Sequence, residues 1–248
     1  MPKEDLVYGP HSVRDALEGG RVKKIWLLKS KDKGKAAQAR NELASAAQKS
    51  GIKVDVVPKS YLDSRMGRSN HQGIIASVKS FEYADLDDEL EKIAELKQAM
   101  VIVLDGIQDP GNFGHIIRQA AGFAASLIVI PERRAVDVTP TVEKASAGTS
   151  SQVPIAIVSN IVNTVKKIQG AGMWTYALDM SGKKTLQEAD FPEKAAIVLG
   201  GEHDGVSRLV METCDEVIHI PKSVTVESFN VATSAAVAMY EYRRKYSI

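Results

Sequence analysis

The run Met100–Leu104 reads MVIVL, five apolar residues with no polar alternation. A strand that shows water on neither face must be covered on both, which points to a parallel sheet with helices above and below it. Runs of similar character recur at Ser126–Ile130, Met173–Leu178, Ala196–Leu199 and Glu216–Ile220. Between the first two lies Asn112–Phe123, with Ile116, Ile117, Ala120 and Phe123 at helical spacing, and Ser228–Tyr246 closes the chain as a second helix. Residues 99–248 therefore read as an α/β domain on a mostly parallel, doubly wound sheet. Ligands of such sheets sit at the carboxyl ends of the strands. Chemistry is expected in 105–118, 200–207 and 221–230.

The first 80 residues form a smaller pattern. Val22–Leu28 and Val54–Val57 read as strands, Lys35–Lys49 as a helix ended by Gly51, Tyr61–Met66 as a helical turn and Gly73–Val78 as a further strand. The order β-α-β-α-β makes a small α/β domain. Residues 81–98 are acidic, from Glu82 to Glu95, and read as a linker running into a helix. The net charge of +1 conceals a division: residues 1–80 hold 16 Lys/Arg against 8 Asp/Glu, net +8, and the rest hold 16 against 23, net −7. A basic N-terminal third suits a polyanionic partner, or is a solvated lysine-rich face. Cys214 is the single cysteine, which excludes an internal disulfide and a cysteine zinc cluster and fits a reducing cytoplasm. No apolar run is long enough to span a bilayer, and Met1–Asp5 begins no signal peptide. His11 and His115 have no partners at metal-ligand spacing, so no metal is expected; His71 reads as a structural hydrogen-bonding residue.

Three loops carry the chemistry. LDGIQDPGNFG (104–114) leaves a buried strand and opens a helix, with Asn112 as its N-cap. Arg118, about one and two-thirds turns further, can hold a phosphate or polarise a hydroxyl. GGEHDG (200–205) has glycines that permit positive φ and close backbone approach to a ligand. It lacks the G-x-G-x-x-G spacing of a dinucleotide site and the Lys-Ser/Thr pair of a P-loop, while Glu202 can orient a ligand or a partner arginine. IPKSVTVESFN (220–230) leads into a helix with Ala232, Ala235, Ala236 and Ala238, a small-residue face open to close packing.

Taken in order, LDGIQDPGNFGHIIRQA, IVLGGEHDGVSRLV and IHIPKSVTVESFNVATSAAVAMYE resemble the three motifs of the SpoU (TrmH-like) branch of the SPOUT RNA methyltransferases. VYGPHSVRDAL and NHQGIIASV are similar to the substrate-binding domain often fused to that catalytic domain. The resemblance implies a C-terminal catalytic domain (99–248) with a deep trefoil knot, an N-terminal RNA substrate-binding domain (1–80) and a homodimer. It implies methyl transfer from S-adenosylmethionine to a ribose 2′-hydroxyl of structured RNA. Because minimal transfer-RNA enzymes of the family usually lack the extra domain, a guanosine of large-subunit ribosomal RNA is the expected target. Transfer RNA, or a non-catalytic ribosome-assembly role, are the alternatives.

By the same resemblance, Asn112, Arg118, Glu202, Ser228 and Asn230 fall at catalytic-site positions. Gly200, Ile220 and Phe229 fall at the cofactor pocket, with Leu199, Gly201 and Pro221 beside them. Lys31, Lys33, Lys35, Arg65 and Arg68 are candidate contacts to RNA phosphates. The sequence departs from the family pattern at Gly201, where alanine or serine is usual, at Lys222–Ser223, where a glycine is usual, and at Gln119, where threonine is usual.

Overall fold

The computed structural model describes residues 5–30, 34–66, 70–202, 204–225 and 227–246. The chain divides into two compact units, Met1–Glu82 with Val138–Lys144, and Tyr83–Asp137 with Ala145–Ile248.

The first unit runs β1 (Asp5–Tyr8), α1 (Pro10–Glu18), β2 (Val22–Leu28), α2 (Lys35–Lys49), β3 (Lys53–Val57), α3 (Lys59–Met66) and β4 (Ile74–Val78). It therefore starts one strand and one helix earlier than the β-α-β-α-β order expected. Their signals are short: Leu6 and Val7 are only half-buried, while Gly9 takes φ 81°, Pro10 opens α1, and Val13 and Ala16 turn inward. The sheet order is β1-β4-β2-β3, with β2 and β3 parallel and the other pairs antiparallel. β4 is buried along its whole length because both its faces are covered. Ile74 and Ala76 join Val13, Ile25 and Ala47 on one side, and Ile75 joins Trp26 and Leu62 on the other.

The second unit opens with α4 (Leu86–Glu95) inside the acidic segment. Asp85 caps it, accepting from the amides of Asp87 at 2.9 Å and Asp88 at 3.1 Å, and the acids of its first turn face the positive end of the helix dipole. Then come β5 (Ala99–Asp105), α5 (Pro110–Gly122) and β6 (Leu127–Pro131), next α6 (Pro140–Ala145), which falls in the first unit but for its last residue, and then, again in the second unit, β7 (Ile155–Val158), α7 (Ile161–Gly170) and β8 (Trp174–Leu178). The chain ends with β9 (Lys184–Thr185), β10 (Lys194–Gly200), α8 (Arg208–Thr213), β11 (Glu216–His219) and α9 (Val231–Lys245). The seven-stranded sheet is parallel throughout, in the order β7-β6-β5-β10-β8-β11-β9.

Val101, Val103, Ala196 and Val198 pack under α4 and α7 with Leu90, Ile93, Val165 and Ile168. Met100, Ile102 and Leu104, which alternate with them, are fully buried as well, so the sheet is covered on both faces as MVIVL requires. α9 packs against α5, with the Tyr240 ring edge-on to Phe123 and Arg243 donating to the Phe123 and Ala124 carbonyls at 2.6 and 2.7 Å, while Val231, Ala235, Ala238 and Tyr242 form a buried row from which the Tyr242 hydroxyl donates to the Ala99 carbonyl at 3.1 Å. The winding reverses between β5 and β10, and Gly200 pairs in register with Asp105 at their carboxyl ends. This switch point is where a doubly wound sheet opens a crevice. No helix among the described residues is long and apolar enough to cross a membrane.

Candidate active site

The loop after β5 begins with Gly106 at φ 89° and ends in the first turn of α5. Asp109 is the N-cap of α5, with Pro110 at its first turn, and its Oδ1 accepts from the Asn112 amide at 2.7 Å. The cap assigned to Asn112 from sequence is therefore corrected. An aspartate immediately before a proline is the stronger helix start, since proline fixes φ and lacks the amide that would go unbonded there. The displacement frees the Asn112 side chain. Its Nδ2 donates to Glu202 Oε1 at 2.5 Å, and its Oδ1 accepts from Asn230 Nδ2 at 2.9 Å. Asn230 also caps α9, with Oδ1 accepting from the Ala232 and Thr233 amides at 2.9 and 3.3 Å. One chain of side-chain hydrogen bonds thus joins all three loops.

The loop after β10 folds back on itself. Gly205 takes φ 63°, and its amide donates to the Gly201 carbonyl at 3.0 Å. A Cβ on Gly200 would stand 1.9 Å from the Gly205 carbonyl carbon and 2.1 Å from the Val206 nitrogen. Gly200 is thus required by the loop's own backbone, where the sequence suggested approach to a ligand. Asp105 fastens the fold-back: its carbonyl accepts from the Gly201 amide at 3.1 Å and its Oδ2 from the Ser207 amide at 2.8 Å.

Behind this loop lies a cavity of about 550 Å³. Leu199, Gly200, Gly201 and Glu202 form one wall, and Ile220, Ser228, Phe229 and Asn230 the opposite one. Leu178, Asp179 and Met180, after β8, and His219, Glu227 and Ser234 complete it. Acids (Asp179, Glu202, Glu227) face it, and no lysine or arginine does among the described residues. Asp179 Oδ1 is held by the Ser181 amide and hydroxyl at 2.9 and 2.7 Å. Asp179, Met180 and His219 lie outside the three loops that the sequence marks for chemistry. They carry no motif, but β8 and β11 end at the same sheet edge, and that was the available signal.

Pro221 follows the cavity wall without lining it. Arg118 is exposed on α5, lines neither this cavity nor its neighbour, and has no hydrogen-bond or ion-pair partner among the described residues. Six residues at about 100° each turn it about 120° round the helix from Asn112. In the first unit Arg65 is exposed, but its guanidinium lies 4.1 Å from the centre of the Trp26 ring and its Nε donates to the Tyr61 hydroxyl at 3.1 Å. Lys31, Lys33 and Arg68, and the side chain of Lys35, lie outside the described residues. Among the described residues no group of three or more acidic, histidine or cysteine side chains could hold a metal ion. Burial pushes the Cys214 thiol up to about 12, consistent with a packing residue rather than a nucleophile.

Comparison with known proteins fits this geometry. A model of the SpoU rRNA Methylase family matches residues 99–240, and a model described as RNA 2′-O ribose methyltransferase substrate binding matches residues 6–84. YacO of Bacillus subtilis, named as a TrmH family tRNA/rRNA methyltransferase, is 39% identical over 98% of this chain and 96% of its own. The structure of a TrmH-family RNA methyltransferase from Porphyromonas gingivalis superposes with a TM-score of 0.62 at 27% identity, covering 97% of this chain and 89% of that one. The SpoU methyltransferase AviRb of Streptomyces viridochromogenes, solved with its cofactor S-adenosylmethionine, shares the fold at a TM-score of 0.63 and 23% identity, covering 98% and 90%. The class is that of the RNA methyltransferases with an attached substrate-binding domain. Within it, the chain belongs to the SpoU (TrmH) family.

Proposed function

We propose that the protein transfers the methyl group of S-adenosylmethionine to the ribose 2′-hydroxyl of a guanosine in large-subunit ribosomal RNA, in the cytoplasm. The observation that carries this reading is the Asn230–Asn112–Glu202 chain at the edge of the cavity between the second and third loops. The cavity suits the cofactor: it has apolar walls at Leu178, Leu199, Ile220 and Phe229 for a purine ring, and acids without lysine or arginine for a ligand bearing a sulfonium and an ammonium. When bound, S-adenosylmethionine supplies an already activated methyl, so the protein's work is positioning.

Asn112, pinned on both sides, holds Glu202 in one orientation. The second carboxylate oxygen of Glu202 lies outside the Asn112 bond and can take the hydroxyl proton. Ser228 presents a hydroxyl at the same wall. Arg118 is always charged and is therefore no general base. Its role is to fix the ribose and an adjoining phosphate and to stabilise developing alkoxide character. Because it points away from Asn112, it serves the site of a second copy. Homodimerisation through the exposed face of α5 and α9, where Val237 and Tyr240 are 40% and 56% exposed, is part of the reading. The C-terminal knot belongs to the same reading, as does division of the chain into an RNA-binding part (1–80), an acidic linker (81–98) and a catalytic part (99–248). The substrate-binding match at residues 6–84 favours ribosomal over transfer RNA.

The test is transfer of label from S-adenosylmethionine to total RNA, fractionated and mapped for alkali-resistant linkages. Label in large-subunit RNA is expected, and Arg118→Ala should lower it about a hundredfold with cofactor affinity unchanged. Label in transfer RNA would overturn the substrate, and no label in any fraction would overturn the enzymatic reading.

A further inference from the structure

A second cavity of about 560 Å³ lies on the other side of the Gly201–Gly205 fold-back. It shares Asn112, Gly201, Glu202 and Gly205 with its neighbour or its edge: Gly201, Glu202 and Gly205 line both, and Asn112, which lines this one, is bonded to Glu202 and Asn230 of the other. We infer that this cavity seats the target nucleoside, with Arg134 gripping a flanking phosphate and Asp204 reading the base. The inference rests on the proposed function and deepens it.

If the methyl donor lies behind Gly200–Gly201, the reacting ribose has to meet it past Glu202, and the space on the far side of Glu202 is this cavity. Its volume falls in the range of small-molecule sites, which runs from about 300 to 1,000 Å³. Its walls carry Asp105, Asp109, Glu202 and Asp204, with Arg134 as the one lysine or arginine among the described lining residues. Two of these acids are committed to the backbone, Asp105 to Ser207 and Asp109 to Asn112, and no convergent metal-binding group exists among the described residues. The cavity is therefore not a cation site. Its field repels a phosphate from the interior and admits an uncharged nucleoside.

Asp204 and Gln108 have no hydrogen-bond partner among the described residues. A free carboxylate presents two acceptors side by side. Guanine alone among the four bases offers two adjacent donor groups, N1–H and N2–H, on its Watson–Crick edge, so an unstacked guanosine is the nucleoside that Asp204 can bind through both oxygens.

Arg134 is exposed, has no ion pair with any of the four acids, and holds φ 60°, a conformation that glycine or asparagine adopts far more readily than arginine. Its loop is fixed from below: the Val136 amide donates to the Ile107 carbonyl at 3.2 Å, and the Arg134 carbonyl lies 3.9 Å from where a Cβ on Gly106 would stand. A guanidinium so placed matches a phosphodiester oxygen pair at the mouth of an otherwise acidic cavity.

The experiment uses the full chain and an oligoribonucleotide spanning the mapped methylation site, in four versions that differ in the target nucleoside. Arg134→Gly removes the side chain while relieving the left-handed backbone, so folding is preserved; thermal denaturation and calorimetric titration with S-adenosylmethionine monitor this. The expected result is a KM for RNA raised about ten- to a hundredfold in Arg134→Gly, with cofactor Kd within twofold of wild type. Asp204→Asn should lose the preference of the wild type for guanosine. Wild-type KM in Arg134→Gly together with wild-type base preference in Asp204→Asn would overturn the assignment and leave the proposed function standing. Loss of cofactor binding in Arg134→Gly would also overturn it, by giving the cavity to the cofactor. Failure of the wild type to methylate any version would overturn the proposed function, and this inference with it.

Discussion

Two neighbouring glycines offer a graded test of how the cofactor wall is built. A Cβ at position 200 would lie 1.9, 2.1 and 2.1 Å from the Gly205 carbonyl carbon, the Gly205 oxygen and the Val206 nitrogen, against an ordinary contact that begins at 3.4 Å. All three are main-chain atoms, so no side chain can swing aside. The fold-back must retreat by the difference, 1.5 Å, which opens the Gly205–Gly201 hydrogen bond of 3.0 Å and pulls on the Ser207–Asp105 bond of 2.8 Å. At position 201 a Cβ meets one atom under 3.0 Å, the Gly106 carbonyl oxygen at 2.7 Å, and a retreat of 0.7 Å relieves it. Overpacking of this kind costs about 1–3 kcal/mol, and Gly200→Ala belongs at or above the top of that range and Gly201→Ala below its bottom. For a chain of this size each kcal/mol is worth about 2–4 °C in Tm. Gly200→Ala should lower Tm by roughly 6–12 °C and weaken S-adenosylmethionine binding at least about tenfold, while Gly201→Ala stays within about 4 °C and threefold. Differential scanning calorimetry and isothermal titration read both quantities. Equal damage from the two substitutions, or a Gly200→Ala protein indistinguishable from wild type, would refute the reasoning.

Asn112→Asp replaces the donor facing Glu202 Oε1 at 2.5 Å with a second carboxylate oxygen. Two facing carboxylates repel each other, and a proton shared between them relieves the repulsion and restores the lost hydrogen bond. Methyl transfer by the variant, relative to wild type, should therefore be lowest at pH 8 and recover towards pH 5.5; a ratio independent of pH would show that the Asn112–Glu202 bond carries no function. Because burial lifts the Cys214 thiol to about 12, its thiolate fraction at pH 8 is about one in ten thousand, and an aromatic disulfide reagent should label native protein at least about a hundredfold more slowly than protein in urea. Equal rates would place Cys214 at the surface. If the basic third of the chain engages RNA through about four phosphates, RNA Kd should rise roughly fiftyfold between 50 and 200 mM salt while cofactor Kd stays level, as filter binding and calorimetry would show.

The parallel sheet was legible because MVIVL leaves a strand no face for water, and the three loops were legible because they follow such strands. What the sequence concealed follows from the same physics. Asn112 reads as a cap because asparagine caps helices well; only the competition from Asp109–Pro110 releases it to bind Glu202 and Asn230. Gly200 does line the cavity, but nothing in a sequence shows which backbone segment a missing Cβ accommodates, and here it is Gly205. β1 and β7 are four residues each, too short to establish an alternation. Asp179 and Arg134 belong to no motif, and they reach the two cavities because the β5–β10 switch point gathers the ends of distant strands.

The division of charge gives this arrangement its logic. Beyond the basic third, residues 81–248 carry a net of −7, most of it in the acidic segment 81–98, and both cavities face a polyanion with the acids Asp179, Glu202, Glu227 and Asp204. Such a site holds a cationic cofactor well and a stretch of RNA poorly. Affinity for RNA must then come from cations elsewhere, and residues 1–80, with a net of +8, are where the chain keeps them. On the reading proposed above, Arg134 at the mouth of the second cavity and Arg118 from a second copy supply positive charge only at the reacting nucleotide. On the proposed reading, an RNA that binds the basic third without presenting an unstacked guanosine gains affinity and no chemistry, so that an acidic site restricts a non-selective electrostatic attraction to one position.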